Sequence, residues 1–477
     1  GLPDAAVKES RDRIRSALYA CGYEHPAGAT LVNLAPADIK KEGAGFDLPI
    51  ALGLIAAAGE QLEHAALADA MILGELALDG SIRPVKGILS ASLTARSLKQ
   101  IRKLLIPAQN ISEAAVAASA LQVYPVHNLP EAVAALRGEI QPLAAGAAEQ
   151  LFGEPDWNDI PDFSDVKGQS AAKRALEIAA AGGHHVLFVG PPGSGKSMLA
   201  KRLPGILPPM TETETLQTSR IHSIVGLLTP DAPLMKTRPF RSPHHTVSDV
   251  GLIGGGTNPG PGEISLAHNG VLFLDELPEF KRSVLEVLRQ PIESGIVTIS
   301  RAAGSFTFPS RFMLIAAMNP CPCGHLGDRL HVCRCRSMQI QNYRAKISGP
   351  LLDRIDLHVE LAALTEDELL SKNASESSRV IRNRVIAARK IQTERFRSST
   401  LLCNAQMESA HILKYCKLDR TTETILRHAI HEFGLSARAY DRILRVSRTI
   451  ADLSGSEELK REHIFEAIGY RALDRRS

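Results

Sequence analysis

Val186-Leu-Phe-Val-Gly190-Pro191-Pro192-Gly193-Ser194-Gly195-Lys196-Ser197-Met-Leu-Ala-Lys-Arg-Leu203 is the stretch on which the fold turns. Four apolar residues form a short strand, a glycine-rich turn follows, and Met198 to Leu203 continue as a helix. GxxxxGKS in that strand–loop–helix setting is a phosphate loop. Its glycines let backbone N–H groups turn inward onto the β- and γ-phosphates of a nucleotide, and the helix N-terminus adds its dipole. Lys196 bridges phosphate charge, and Ser197 places its hydroxyl on Mg2+. The alternative, a plain glycine-rich connector, does not explain why a strand leads in and a helix leads out.

Two further strand ends belong with it. Val271-Leu-Phe-Leu-Asp275-Glu276 closes four apolar residues on two carboxylates. Asp275 would hold magnesium through water, and Glu276 would orient and polarise the attacking water, which marks a hydrolase of ATP rather than a passive binder. Phe312 to Met318 is another apolar run, ending at Asn319, whose amide can reach the γ-phosphate or the lytic water. Alone, each reads equally as a buried strand ending in a polar turn. Together with the phosphate loop they predict an α/β nucleotide-binding core over 164–362, where strands and helices alternate.

Outward from that core, 363–477 is helical in almost every periodic segment: 380–396, 410–415, 422–433, 437–453 and 461–473. Residues 138–163, rich in Gly, Pro, Gln and Ala, read as a linker, and 1–137 as a second, small α/β domain. The domain's expected helices cover 5–20, 49–58 and 90–98, and its strands 30–34, 71–73 and 103–106. The opening Gly1-Leu2-Pro3, without Met, reads as a chain lacking an N-terminal piece.

Composition narrows the function. Aromatics are 4% with one tryptophan, Trp157, which excludes a base-stacking RNA reader. Lys plus Arg is 55 against 52 for Asp plus Glu, a formal charge of +3. That speaks against coating nucleic acid by bulk charge but leaves room for a local basic channel. No run of about 18 apolar residues suggests a membrane span, and no charged-then-apolar signal opens the chain. Four of the seven cysteines fall in Cys321-Pro-Cys323 and Cys333-Arg-Cys335. That is no disulfide framework; it points to a metal site in a reducing, cytoplasmic compartment. Four thiolates spaced C-x-C-x9-C-x-C can close a tetrahedral zinc site, with His325 or His331 able to replace one of them. Free reduced thiols are the alternative.

The three nucleotide motifs resemble those of AAA+ ATPases, in the magnesium-chelatase-like branch, and the likeness runs along nearly the whole chain. Gly349-Pro-Leu-Leu-Asp-Arg354-Ile-Asp-Leu resembles the arginine-finger segment of magnesium chelatase and MCM-type helicases. The resemblance implies that Arg354 reaches a neighbour's γ-phosphate and hence that the chain forms a ring, a homo-hexamer. Leu435-Ser-Ala-Arg438-Ala resembles sensor 2, acting either within its own subunit or on a neighbour, and Val166 to Gln169 sits where the family contacts adenine. The gaps from Lys196 to Asp275 and from Asp275 to Asn319 exceed one helix and one strand, so each holds an insertion. The first contains Arg238-Pro-Phe-Arg241-Ser-Pro-His244-His245-Thr; the second reads as a β-hairpin over 295–308 with Arg301 at its turn. In related helicases such insertions enter the ring's pore, which would make Arg238, Arg241 and Arg301 contacts to the DNA backbone; a solvated surface hairpin is the alternative. The basic run Arg379 to Arg397 reads as a solvated lid face or a DNA contact.

The wording of 238–246 and of 262–280 is similar to the ComM/YifB family. That implies an ATP-dependent DNA helicase driving branch migration on single-stranded and branched DNA during natural transformation, with recombination proteins as partners. A chelatase-type motor that remodels a protein or inserts a metal is the second reading. Leu73 to Gly87 resembles the proteolytic domain of Lon proteases, of S5-type α/β fold, but Gly45 falls at the serine position and Leu89 at the lysine. A serine–lysine peptidase needs both side chains, so the resemblance implies a non-proteolytic assembly or DNA-binding element.

Overall fold

The computed structural model describes the chain apart from residues 1–4, 36–43, 60–61, 145, 147–151, 257–258, 302–303, 329–330, 364, 366–367, 369–374 and 472–477. It divides into two compact units, one of residues 1–154, 211–236 and 299–306, the other of 155–210, 237–298 and 307–477.

In the first unit α1 (Ala5–Ala20) buries Ile14 and Leu18, the face its periodicity marks. Helix α2 (Asp47–Ala58) is apolar almost all round. The carboxylate of Asp47, fully buried, accepts from Arg13 Nε at 3.0 Å. Three parallel strands, β1 (Ala70–Ile72), β2 (Lys103–Pro107) and β3 (Gln122–Val126), form a sheet in that order, with α3 (Ile88–Ser97) and α4 (Leu129–Leu136) beside them. The expected strand over Thr30 to Leu34 is not formed: the segment carries no strand pairing and leaves Leu31 93% exposed. Strand propensity is realised only against a neighbouring strand and a buried face, and this run has neither among the described residues. The helix Glu212–Val225, inserted in sequence after the phosphate loop, belongs to this unit. Its Ser223 hydroxyl donates to Glu113 at 2.5 Å, and the same carboxylate oxygen accepts Leu89 N–H at 3.2 Å.

The second unit is built on a five-stranded parallel sheet. Its strands are β4 (Val186–Val189), β5 (Phe240–Arg241), β6 (Val271–Leu274), β9 (Met313–Met318) and β10 (Leu357–Glu360); β7 (Ile296–Arg301) and β8 (Gly304–Pro309) pair apart as a hairpin. The sheet order is β10-β4-β9-β6-β5. Strands β4, β6 and β9 are buried at every position, as parallel strands covered on both faces are. Helix α5 (Ser170–Gly182) precedes β4, and α6 (Lys196–Arg202) follows the phosphate loop. The helical region comprises α7 (Ser378–Arg395), α8 (Ser409–Tyr415), α9 (Arg420–Phe433), α10 (Ala437–Leu453) and α11 (Arg461–Gly469). Helices α7 and α10 pack on α5, and their apolar residues join one core with the sheet.

Buried charge ties these helices to the sheet. Asp356, just before β10, is ion-paired with Arg442 of α10, lies 3.3 Å from His184 Nδ1, and accepts His185 N–H at 3.1 Å. Burial alone would raise its carboxyl, but Arg442, His184 and His185 outweigh that and hold it well below the usual carboxylate range. Burial pushes His185 down to about 4, and its Nδ1 accepts the Leu314 N–H at 2.9 Å. Asp452 is held bidentately by Arg395 at 2.5 and 2.7 Å and by Arg448 at 3.1 Å. Breaking a buried pair leaves an uncompensated charge, so Asp356→Asn is expected to destabilise this unit by roughly 3–5 kcal/mol at neutral pH. Because the folded-state pKa is depressed, that contribution is present above the unfolded value of about 3.9 and is lost as pH falls through it toward the folded one. Denaturant melts of the two proteins should therefore differ most near neutrality and converge in acid.

Candidate functional site

The phosphate loop leaves β4 at Gly190 and enters α6 at Lys196. Gly193 and Gly195 take φ of +77° and +89°, the left-handed region that a side chain disfavours. At Gly190 a Cβ would lie 2.6 Å from the Leu361 carbonyl oxygen, so β10's exit and the loop approach too closely for any other residue. Gln169, itself at φ +54°, braces the loop by donating its side-chain amide to the Ser194 carbonyl at 3.1 Å and the Ala362 carbonyl at 2.9 Å.

Lys196 is buried. Its ammonium donates to the Gly190 and Pro191 carbonyls at 2.7 and 2.9 Å and to Asn319 Oδ1 at 3.2 Å. Burial lowers its pKa, while Asp275 and Glu276 oppose that shift. Ser197 Oγ donates to Asp275 Oδ2 at 2.5 Å. Thus α6, β6 and β9 bring Lys196, Ser197, Asp275 and Asn319 to one end of the sheet. An ammonium, backbone N–H groups, a hydroxyl and a carboxylate fit a polyphosphate with magnesium: hard oxygen donors suit an ion that keeps several waters.

Glu276 follows at φ +53°, one of three non-glycine described residues at positive φ, with Gln169 and Asn269. Strain of this kind costs of order 1–3 kcal/mol and persists only where surroundings over-determine it; two of these three positions belong to the nucleotide site. The exposed carboxylate of Glu276 lies 3.4 Å from His245 Nδ1, and His245 stacks against His244 with ring centroids 4.1 Å apart. The His245 contact went unseen in the sequence because 31 residues separate the partners. The abutting imidazoles of Ser-Pro-His-His were the available signal.

The arginines are placed otherwise. Arg354 is buried, donates to the Pro350 carbonyl at 2.6 Å and pairs with Glu293 at 2.5 Å, lining a surface cavity of about 450 Å3 with Glu286, Gln290 and Val297. Arg438 is exposed in the first turn of α10. Arg238 donates to the carbonyls of Pro208 and Asn269, each at 2.7 Å, and Arg241 makes a bidentate pair with Glu263, both contacts at 2.7 Å. Both guanidiniums hold the insertion's own backbone and acids together. The hairpin forms as expected, with Arg301 the last residue of β7, but the Arg301 side chain lies outside the described residues. In the basic run, Arg382 donates to the Gly205 carbonyl at 2.7 Å and stacks on Trp157 at 3.6 Å. Arg384 pairs with Glu177 and Glu376, and Arg389 with the Ala180 carbonyl. These side chains fasten α7, while Arg379, Lys390 and Arg397 of the same run are exposed to solvent.

Cys321, Cys323, Cys333 and Cys335 converge, with all four Sγ atoms within 4.8 Å of one another. Sulfur separations of 3.4, 3.6 and 3.7 Å approach the edge of about 3.8 Å that a tetrahedron with Zn–S of about 2.3 Å requires. His325 and His331 stand apart from this set, gathered instead around Asp328. Between the two groups Gly324, at φ +84°, packs so closely on the phosphate loop that a Cβ would lie 2.6 Å from Pro192 Cδ. The cysteine loop thus supports the loop that holds the phosphates.

In the first unit, Leu89 is fully buried against Val116 and Leu234, and a Cβ on Gly45 would lie 3.8 Å from Val85. Neither residue offers a nucleophilic or basic side chain.

Comparison with known proteins supplies the lineage. The family described as "Magnesium chelatase, subunit ChlI" matches residues 162–369, "Subunit ChlI of Mg-chelatase" residues 1–110, and "Magnesium chelatase, subunit ChlI C-terminal" residues 375–471. Competence protein ComM of Haemophilus influenzae is 46% identical over 100% of this chain and 92% of its own length. The uncharacterized protein YifB of Escherichia coli is 44% identical over 100% and 91%. The magnesium-chelatase 38 kDa subunit of Rhodobacter capsulatus is 28% identical over 38% of this chain and 54% of its own.

Proposed function

The chain belongs to the ComM/YifB family of magnesium-chelatase-like AAA+ ATPases, and from that premise we propose that it is an ATP-driven DNA translocase promoting branch migration in natural transformation and homologous recombination. The observation that carries a nucleotide-driven motor is the meeting of Lys196, Ser197, Asp275 and Asn319 at one sheet end. Identity of 46% along the whole chain to a protein named for competence points the motor toward DNA.

In this reading Lys196 and the backbone N–H groups of 190–197 bind and orient the phosphates of ATP, and Asn319 positions the γ-phosphate or the water. Magnesium, held by Ser197 and Asp275, supplies neutralisation of phosphate charge. Glu276 leaves His245 and orients the water for in-line attack. Arg354 leaves Glu293 to reach a neighbour's γ-phosphate, where a guanidinium suits the spreading charge of the transition state; this requires a ring, which we take to be a homo-hexamer. Arg438 completes the site, in its own subunit or the next. With Arg238 and Arg241 spent on carbonyls and Glu263, contact with single-stranded DNA falls to the β7–β8 hairpin and Arg301. No helix among the described residues is long and apolar enough to cross a membrane, and the cytoplasm, where chromosome and ATP meet, is the proposed place of work.

ATP turnover measured with single-stranded DNA, forked DNA, porphyrin and casein, beside a three-strand branch-migration assay, tests this. DNA should stimulate hydrolysis and the joint should move. If DNA does neither, the helicase reading fails. Stimulation by casein or porphyrin alone would instead support the chelatase-type motor that the match to the Rhodobacter subunit favours.

The four cysteines hold structural zinc in this reading. Metal analysis of the purified chain should find zinc that Cys321→Ser with Cys333→Ser removes. Because Gly324 abuts Pro192, loss of the metal should also weaken ATP binding, about tenfold on the scale of a displaced supporting group. A zinc content near zero in the unmodified chain would end the assignment.

A further inference from the structure

Between the second and third cysteines lies a different donor set. Asp328 Oδ2 sits 3.1 Å from His325 Nδ1 and 3.1 Å from His331 Nδ1, and the two rings face each other with centroids 4.8 Å apart. One donor atom of each residue lies within 4.8 Å of the other two. The Asp328 side chain is 4% exposed, whereas those of His325 and His331 are 33% and 64% exposed, so a fixed carboxylate anchors two imidazoles that open to solvent. The backbone sets this up: Asp328 N–H donates to the His325 carbonyl at 3.2 Å and Gly327 takes φ +80°, a tight turn that returns Asp328 beneath His325.

Imidazole nitrogens bind divalent transition ions at about 2.0–2.1 Å and carboxylate oxygens at about 2.0–2.2 Å. Adjacent ligands on such an ion are about 3.0–3.4 Å apart, from octahedral to tetrahedral geometry. The observed 3.1 Å separations fall inside that range. Without an ion these contacts are two imidazole–carboxylate hydrogen bonds to one oxygen; with an ion, the same nitrogens and oxygen turn their lone pairs to the metal. Two nitrogens and an oxygen form a borderline set, unlike the soft sulfurs of the cysteine cluster.

We propose that His325, Asp328 and His331 form a second metal site, separate from the cysteine cluster, that takes a divalent transition ion such as zinc and leaves coordination positions open to water or an incoming ligand. An open three-ligand site is the arrangement of reactive or regulatory metals rather than of closed structural ones. Here it lies one residue from the glycine that touches the phosphate loop. The site is independent of the motor reading and of whether the cysteines are loaded.

Equilibrium dialysis of the full chain against zinc chloride tests it, beside H325Q/H331Q, D328N and C321S/C333S. The unmodified chain should hold one more zinc per chain than H325Q/H331Q, and D328N should weaken the more weakly held zinc about tenfold or more. C321S/C333S should keep the histidine-bound ion. Cobalt separates the two centres optically. Ligand-field bands without thiolate charge transfer should vanish in H325Q/H331Q, while thiolate charge transfer vanishes only in C321S/C333S. D328N is isosteric and His331 is exposed, so folding is not at stake in every variant. Equal zinc content and affinity in the unmodified chain, H325Q/H331Q and D328N would overturn the proposal. So would cobalt spectra that the histidine substitutions leave unchanged.

Discussion

Glu276→Gln is expected to bind ATP as the unmodified chain does and to lose turnover by about 10^2–10^4-fold. The carboxylate ends β6 beside Asp275, held at φ +53° and 3.4 Å from His245. Gln keeps the shape and hydrogen-bonding reach of Glu but cannot take a proton from water. Since Glu276 makes no hydrogen bond to the phosphate loop or to Lys196 among the described residues, nucleotide affinity should survive. Steady-state phosphate release measured beside binding of a fluorescent ATP analogue makes the comparison. Normal turnover in the variant would show that another group prepares the water.

Lys196→Ala should fail one step earlier, at binding. Its ammonium is buried and already held by two carbonyls and Asn319, so it is oriented before phosphate arrives. Each hydrogen bond to a charged group is worth about 1.5–3 kcal/mol. Loss of one such contact to phosphate costs about tenfold in affinity, and loss of several costs more. Titration of the same ATP analogue reads this directly. A variant that binds as tightly as the unmodified chain would remove Lys196 from the phosphate site. The contrast with Glu276→Gln separates binding from chemistry.

The core around these residues was legible because its elements are local. β4, the phosphate loop and α6 are contiguous in sequence, and the apolar runs ending at Asp275 and Asn319 can only be buried parallel strands. The helices of 378–469 likewise announced themselves through apolar periodicity. Thr30 to Leu34 misled because a run with four apolar or β-branched residues in five looks the same whether or not a neighbouring strand exists to pair with it. The division of the chain at a linker also hid that 211–236, inserted within the ATPase core, belongs to the first unit. Nothing within one segment declares which surface it will cover.

The arginines mark the limit most clearly. A guanidinium's number along the chain says that it is charged, and resemblance says what relatives do with it. Only the fold reveals that Arg238 is consumed by the carbonyls of Pro208 and Asn269, Arg241 by Glu263, and Arg354 by Glu293. The cysteine and histidine donors divide in the same way. Spacing alone left His325 and His331 as substitutes for a thiolate, and folding sorted them into a separate set around Asp328. Chemistry carried by contiguous residues, such as a phosphate cradle or a strand closing on two carboxylates, follows from local backbone preference and was fixed by the chain's own order. Which charge meets which partner, and which ligand joins which cluster, depends on distances between residues far apart in sequence, and only tertiary packing sets those.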